Sequence, residues 1–334
     1  MNEILIQKAE KNLCDTLRDA LQVSSNESCL VIYDEEAPLT QIMVEAYRRA
    51  LPSAEFYLFE STKATEILEK ISALKPSDAV ILVQSMNFRL NEFRIRIELF
   101  QRGLKTIEHI HLARMSEDQF EAYIDTLAYD PNYYRPLGRA LKEKLDSAKE
   151  VVVECGDRRL VWSAGMEDSK LNVGDYSGMK NVGGTFPIGE VFTESKEIVA
   201  VNGESTIFGF ATEDHMMKFY EPFRIVVTDG ILTAPDGPAD FQRILDIIKA
   251  DDQVMVREFG LGLNPAVGKH RMINDITAYE RQLGLHLSLG EKHAMYPKPG
   301  LGRKNGRYHV DVFIDVDRIT VDGEPIFEAG KYTV

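Results

Sequence analysis

The feature that most constrains the fold of this chain is a change of pattern near its middle. In the first half, short apolar runs alternate with segments whose apolar residues recur at helical spacing. The apolar runs predict strands at residues 29–33, 55–59, 79–83 and 107–112. The helical segments between them are residues 40–51, 64–74 and 88–102. Strands and helices that alternate in this way, with strands apolar on both faces, predict a parallel, doubly wound α/β sheet.

The second half has the pattern of a β-rich domain. Residues 130–136 form a turn-rich break, after which glycine-bearing turns recur along the chain. The predicted elements that follow the break are a charged helix at 137–149, strands at 150–154 and 159–162, and a helix at 241–249. We therefore predict two domains, an α/β domain over residues 1–148 and a β-rich α+β domain over residues 149–334.

Charge and motif content argue against several classes of protein. The formal net charge of −14 argues against non-specific binding to nucleic acid or to an anionic membrane. Residues 34–38, after the first strand, are acidic and end in proline, where a nucleotide site would need a glycine-rich phosphate loop. Three scattered cysteines, and no apolar stretch of about 18 residues, predict a reducing cytoplasmic location without export or membrane insertion.

Two candidate metal ligands lie on one predicted strand near the C-terminus. In residues 308–316 apolar and polar side chains alternate, so His309 and Asp311 share a face, roughly 7 Å apart along the strand. Imidazole nitrogen and carboxylate oxygen suit borderline divalent ions. The same alternation fits a half-exposed strand with an ordinary polar face, so the pair alone leaves both interpretations open. Another alternating pair, His109 and His111 in the first domain, is interpreted as structural.

Three more candidate ligands stand alone in their segments. His286 lies between leucines of an alternating segment, where a hydrogen-bonded core histidine is the alternative interpretation. Glu258 follows an apolar run and precedes a loop with two glycines and a proline, and Glu190 follows a proline and a glycine. Carboxylates at strand ends beside glycine loops can serve as ligands. The coincidence of five such donors predicts a metal-dependent hydrolase, with its metal-binding and catalytic residues in the second domain.

Four fragments occur in the order found in the M29 family of metallo-aminopeptidases, the family of aminopeptidase T, and the chain resembles that family from about residue 145 to 325. They are Gly-Glu-Val-Phe-Thr (189–193), Glu-Phe-Gly-Leu-Gly-Leu-Asn-Pro (258–265), His-Leu-Ser-Leu-Gly (286–290) and His-Val-Asp (309–311). The resemblance implies a two-domain, homodimeric aminopeptidase that acts on peptide or aminoacyl substrates with two divalent metal ions, Zn, Mn or Co. The implied metal ligands are Glu190, Glu258, His286, His309 and Asp311. Glu280 resembles a further glutamate of the family.

One position departs from that family. Its larger members carry a tyrosine seven residues beyond the motif histidine, where this chain has His293. Tyr296 lies close by in the sequence, and either His293 or Tyr296 could donate a hydrogen bond to the oxyanion of the reaction. Glu258 is the predicted proton shuttle between water and the leaving amine. The predicted catalytic residues are therefore Glu258, His293 and Tyr296.

Two other interpretations of these ligands remain open. The 2,5-dihydroxypyridine 5,6-dioxygenases resemble the same family but hold one iron(II), for which His286, His309 and Asp311 could form a two-histidine, one-carboxylate triad. In those enzymes the glycine-rich motif begins with a histidine, whereas here it begins with Glu258, which favours the hydrolase. The third interpretation is a catalytically silent relative that binds a peptide or a partner in the cleft.

Overall fold

A computed structural model describes residues 2–88, 95–291, 296 and 308–334. The chain forms two compact units, each built from three segments of the sequence. Unit 1 consists of Met1–Arg135, Gly174–Ile188 and Lys269–Tyr279, and unit 2 of Pro136–Val173, Gly189–Gly268 and Glu280–Val334. The single domain boundary near residue 148 stays a prediction. The compact units first divide after residue 135, and two later segments, Gly174–Ile188 and Lys269–Tyr279, belong again to unit 1.

Unit 1 contains a parallel sheet of five strands. With strands numbered along the whole chain, these are β1 (Cys29–Tyr33), β2 (Glu55–Leu58), β3 (Ala79–Val83), β4 (Lys105–His109) and β8 (Gly183–Thr185). Their order is β2-β1-β3-β4-β8, and every neighbouring pair is parallel. β1 and β3 coincide with predicted strands and are buried along almost their whole length. Burial on both faces explains why their sequences are apolar at consecutive positions.

Two parts of this sheet differ from the prediction. The strand predicted at 107–112 begins earlier and ends at His109, because His111 adopts a left-handed conformation (φ 58°) that a strand does not contain. β8 has no predicted counterpart, since Gly-Gly-Thr shows no apolar alternation. Gly183 (φ +93°) approaches β4 so closely that an added Cβ atom would stand 1.9 Å from the carbonyl oxygen of Thr106. This strand pairing therefore requires glycine.

Helices lie on both faces of the parallel sheet. The helices of unit 1 are α1 (Glu3–Asp15), α2 (Pro38–Ala50), α3 (Ala64–Ala73), α4 (Ile95–Gln101), α5 (Phe120–Thr126) and α8 (Ile276–Tyr279). Ile67 of α3 and Leu99 of α4 pack with Leu30 of β1 on one face. Tyr47 of α2 reaches His109 of β4, which the strand alternation places on the other face. The helix predicted at 88–102 corresponds to α4, and residues 89–94 lie outside the described part of the chain.

Unit 2 is dominated by one antiparallel sheet. Its described strands are β5 (Val151–Cys155), β6 (Arg158–Trp162), β7 (Lys170–Asn172), β9 (Glu190–Glu194), β10 (Val201–Ala211), β11 (Met217–Thr228), β12 (Ile231–Thr233), β13 (Val256–Gly262), β14 (Gly284–Gly290), β15 (His309–Ile314), β16 (Arg318–Val321), β17 (Glu324–Glu328) and β18 (Lys331–Tyr332). The order is β18-β17-β16-β5-β6-β10-β15-β14-β13-β9-β7, with β11 beside β10 and β12 beside β11. A parallel sheet in one unit and a large antiparallel sheet in the other agree with the predicted α/β and β-rich halves.

Two further α-helices are described, one in unit 2 and one whose residues are divided between the two units. α7 (Ala239–Lys249) belongs to unit 2 and covers the segment predicted at 241–249. α6 (Pro131–Ser147) begins before the predicted helix at 137–149 and contains the division at residue 135. No helix among the described residues is long and apolar enough to cross a membrane.

Candidate metal centre

Four neighbouring strands bring the predicted ligands to one face of the unit 2 sheet. The strands β15, β14, β13 and β9 are adjacent in that order. Glu190 begins β9, Glu258 lies in β13 and His286 lies in β14. His309 and Asp311 lie at the start of β15. The pairing register places all five side chains on the same face, because residues paired directly across antiparallel strands point the same way.

Three of these residues, Glu190, Glu258 and His286, form a compact cluster that we call the Glu–Glu–His group. One ligand atom from each lies within 4.8 Å of the other two. Nε2 of His286 lies 3.3 Å from Oε1 of Glu190 and 3.4 Å from Oε1 of Glu258. All three side chains are buried, so two carboxylates converge on one imidazole nitrogen away from bulk water. Within the described part of the chain, this is the one cluster of at least three such donors.

Gly260 makes room for the imidazole ring of this group. It pairs with His286 across β13 and β14. A Cβ atom added to Gly260 would stand 2.1 Å from Cε1 and 2.2 Å from Nε2 of the ring. Any side chain larger than hydrogen would therefore push the ring away from the carboxylates. The sequence does not single out Gly260, because its role depends on which residue lies across the strand.

The pair predicted on β15 also comes together. Nε2 of His309 lies 3.0 Å from Oδ1 of Asp311, and Asp311 is buried, whereas the His309 side chain is 36% exposed. Burial opposes ionisation of both groups, but their mutual attraction outweighs it. The pKa of His309 rises to about 10 and the pKa of Asp311 falls to about 2. The two residues therefore form an ion pair at neutral pH.

A buried arginine, missed by the sequence analysis, lies among these carboxylates. Nη1 of Arg281 lies 2.5 Å from Oε2 of Glu190 and 3.2 Å from Oε2 of Glu280. Burial disfavours the charged form of Glu190, but Arg281 and His286 together outweigh burial and lower the pKa of Glu190. Burial, followed by the charge of Asp311, raises the pKa of Glu280 well above its usual range. The one sequence signal for Arg281 is its position next to Glu280.

The donor set of the centre fits a divalent ion. Burial opposes protonation of His286, but Glu190 and Glu258 outweigh burial and raise the pKa of His286 to about 10. A metal ion can take the place of that proton, because metal binding and protonation compete for the same imidazole nitrogen. Nδ1 of His286 is buried without a hydrogen-bond partner among the described residues. Imidazole and carboxylate donors of this kind suit borderline divalent ions.

Of the two predicted oxyanion donors, the structure describes only Tyr296. The Tyr296 hydroxyl donates to the backbone carbonyl of Asp168 at 2.9 Å, and the carbonyl of Phe192 lies 3.4 Å away. Tyr296 is buried, and burial raises the pKa of its hydroxyl. His293 lies outside the described residues. The catalytic role of Tyr296 or His293 therefore stays a prediction.

Comparisons with known proteins bear on the fold. No protein-family profile matches the sequence, and no curated protein gives a significant match. Among solved structures, 2,5-dihydroxypyridine dioxygenase from Pseudomonas putida KT2440 is 14% identical with a TM-score of 0.65, and the match covers 100% of this chain and 98% of that chain. AmpT from Thermus thermophilus is 13% identical with a TM-score of 0.60, and the match covers 98% of this chain and 99% of that chain. This chain shares their fold.

The two structural neighbours support the expected fold but not a particular activity. AmpT is an M29 aminopeptidase T, so its similarity supports an M29-like fold. Both neighbours are enzymes, one an aminopeptidase and the other a dioxygenase. At 13% and 14% identity, the similarity extends to the fold alone. The choice between the two activities therefore has to come from the residues of the metal centre.

Proposed function

We propose that this protein is a metal-dependent hydrolase of the aminopeptidase type, which removes residues from the N-terminus of peptides. The observation that carries the proposal is the Glu–Glu–His group, in which Glu190 and Glu258 both face Nε2 of His286. Two carboxylates at one imidazole supply the negative charge that a catalytic divalent ion needs. The fold shared with AmpT is compatible with this activity.

Each residue of the centre has a role in this proposal. Glu190, Glu258 and His286 would hold an ion, and His309 and Asp311 are the other ligands that the sequence resemblance implies for the two ions. A bound divalent ion lowers the pKa of coordinated water and polarises the scissile carbonyl. The carboxylate of Glu258 would accept the proton of the attacking water and return it to the leaving amine. Burial of the group keeps bulk water away from these proton transfers.

The substrate class follows from the charge of the centre. Acidic side chains outnumber the guanidinium here, because Glu190, Glu258, Glu280 and Asp311 all act on Arg281. Such a site attracts a free α-ammonium group and repels a C-terminal carboxylate. We therefore propose peptide or aminoacyl substrates with a free N-terminus. The homodimer that the sequence resemblance implies is a separate proposal, which light scattering tests.

The second candidate function is that of a mononuclear iron(II) dioxygenase. The observation in its favour is the proximity of His309 to Asp311, because with His286 they would make a two-histidine, one-carboxylate triad. The dioxygenase from Pseudomonas putida has the same fold. Against this candidate, Nε2 of His286 faces Glu190 and Glu258, which belong to no such triad.

Reconstitution with different metals separates the two activities. Metal-stripped protein is loaded with Mn²⁺, Zn²⁺ or Co²⁺ and assayed with aminoacyl p-nitroanilides, then loaded with Fe²⁺ and assayed for oxygen uptake with 2,5-dihydroxypyridine. We expect hydrolysis by the wild type and a loss of at least about 100-fold in kcat/KM in Glu258→Gln. Glu204→Gln, a partly exposed glutamate of β10 that pairs with Arg224, is the matched control.

Three results would contradict the proposal. Oxygen uptake that survives Glu258→Gln and is lost in His309→Ala would move the assignment to the dioxygenase. Metal binding without either activity would indicate the catalytically silent relative. A wild-type protein that binds no metal after reconstitution would exclude both enzymes.

A further inference from the structure

The candidate metal centre already contains one permanent cation. The guanidinium of Arg281 is buried, and an arginine does not lose its proton in a protein. Its Nη1 lies 2.5 Å from Oε2 of Glu190 and 3.2 Å from Oε2 of Glu280. The charges of Glu258 and Asp311 also act on it. A fixed positive charge therefore lies inside the carboxylate cluster, whatever else the cluster binds.

Glu190 divides its two oxygens between two cation positions. Oε1 faces Nε2 of His286 at 3.3 Å, inside the Glu–Glu–His group. Oε2 is held by Arg281. In a two-metal centre, a carboxylate shared between the ions offers one oxygen to each of them, and the ions lie roughly 3.5–4 Å apart. In this protein the second oxygen of the shared carboxylate contacts a guanidinium instead.

The other donors that a second ion would need already have partners. Glu280 accepts a hydrogen bond from Arg281, and Oδ1 of Asp311 lies 3.0 Å from Nε2 of His309. Among the described residues, the Glu–Glu–His group is the only set of three donors whose ligand atoms are close enough together to hold an ion. A second divalent ion placed against Glu190 and Glu280 would be repelled by Arg281, because like charges at a buried site are weakly screened.

We propose that the centre holds one divalent ion per chain, in the Glu–Glu–His group, and that the guanidinium of Arg281 takes the place of a second ion. This inference rests on the proposed metal-dependent function. It departs from the two ions that the sequence resemblance implies. Arg281 then supplies, as part of the protein, the positive charge that a second ion would bring, and its removal opens a second metal position.

Titration calorimetry of the metal-stripped full chain with Mn²⁺ counts the ions. We expect one Mn²⁺ per chain in the wild type and in Arg281→Lys, which keeps the positive charge. We expect two in Arg281→Met, because that change releases Oε2 of Glu190 and the carboxylate of Glu280. Two ions in the wild type, or a single ion in a folded Arg281→Met protein, would overturn the inference. A wild type that binds no Mn²⁺ would overturn the proposed function, and the inference with it.

A second measurement does not depend on the folding of a variant, since loss of a buried arginine can prevent folding. Electron paramagnetic resonance of the wild type at saturating Mn²⁺ distinguishes an isolated ion from a coupled pair. We expect the six-line spectrum of an isolated ion. The spectrum of a spin-coupled Mn²⁺ pair would overturn the inference, while leaving the proposed hydrolase in place.

Discussion

Two buried histidines, one in each compact unit, have opposite properties. His109 ends β4 of unit 1, and each of its ring nitrogens lies beside a tyrosine hydroxyl. Nε2 is 2.7 Å from the hydroxyl of Tyr47, and Nδ1 is 2.8 Å from that of Tyr123. Burial raises the pKa of both tyrosines, so they stay neutral, and burial lowers the pKa of His109 to about 3. His109 is therefore a neutral core residue with both nitrogens paired.

His286, in β14 of unit 2, is as deeply buried as His109 but faces carboxylates. Burial again opposes protonation, yet Glu190 and Glu258 outweigh it and raise the pKa of His286 to about 10. Its Nδ1 has no hydrogen-bond partner within the described part of the chain. The comparison shows that the neighbours of a buried histidine decide its charge, because tyrosines leave His109 neutral whereas carboxylates favour protonation of His286.

The largest expected effect comes from removing one of those two carboxylates. Glu258→Gln keeps the shape of the side chain but leaves Glu190 alone to balance the ion in the Glu–Glu–His group. We expect the affinity for Mn²⁺ to fall roughly 1000-fold, about 4 kcal/mol. Titration calorimetry measures this change, with Glu204→Gln as the control of matched chemistry. An unchanged affinity would show that Glu258 does not hold the ion.

The second effect is on stability and concerns the other histidine. His109→Ala removes the ring and leaves the buried hydroxyls of Tyr47 and Tyr123 without it, so we expect the free energy of unfolding to fall by about 3 kcal/mol. Urea unfolding followed by far-ultraviolet circular dichroism measures the change. His270→Ala, at an exposed position, should change it by less than about 0.5 kcal/mol. Loss of Mn²⁺ binding in a folded His109→Ala protein would contradict the claim that His109 is a core residue with no part in metal binding.

The third effect tests the space left by a glycine. In Gly260→Ala the new Cβ atom would overlap the ring of His286, so the ring must shift away from its carboxylates. We expect the affinity for Mn²⁺ to fall about 10- to 100-fold. Gly268→Ala is the matched control, because no described atom lies within 4 Å of its added Cβ atom. Equal affinities in the two variants would mean that the ring position does not control binding.

The smallest effect is a pH dependence that belongs to His109. Its pKa is about 3 in the folded protein and 6.5 ordinarily, so between these values the unfolded chain binds more protons. The stabilisation is complete above pH 6.5 and falls by about 1.4 kcal/mol per unit as the pH is lowered toward 3. Urea unfolding of the wild type and of His109→Gln, compared from about pH 7 to about pH 5, isolates this slope. Identical slopes would show that His109 accepts a proton freely in the folded state.

Local patterns in the sequence account for much of the fold. The predicted ranges of β1 and β3 match the structure, because a parallel strand buried on both faces is apolar at every position. β8 could not be predicted, because glycine is required at position 183 only by the close approach of β8 to Thr106. Thr106 lies far from Gly183 in the sequence. The end of β4 was missed for a related reason, because the left-handed conformation of His111 leaves no mark on the apolar pattern.

The residues of the candidate site also fall into two groups, those that the local sequence identifies and those that it does not. Glu190, Glu258 and His286 each stand in a short segment that identifies them as candidate ligands, and the structure brings these three together. Gly260 and Arg281 act through contacts between segments far apart in the sequence. Gly260 lies under the ring of His286, and Arg281 meets Glu190. Such contacts depend on the register between strands, which a single sequence does not reveal.

Anomalous X-ray scattering tests the central claim of a metal ion in the Glu–Glu–His group most directly. Crystals of the wild-type protein are grown with Zn²⁺, and data are collected on both sides of the zinc absorption edge. We expect an anomalous peak roughly 2.0–2.2 Å from Nε2 of His286 and from one oxygen each of Glu190 and Glu258. A peak bound by His309 and Asp311 without Glu258, or no peak at saturating Zn²⁺, would contradict the claim.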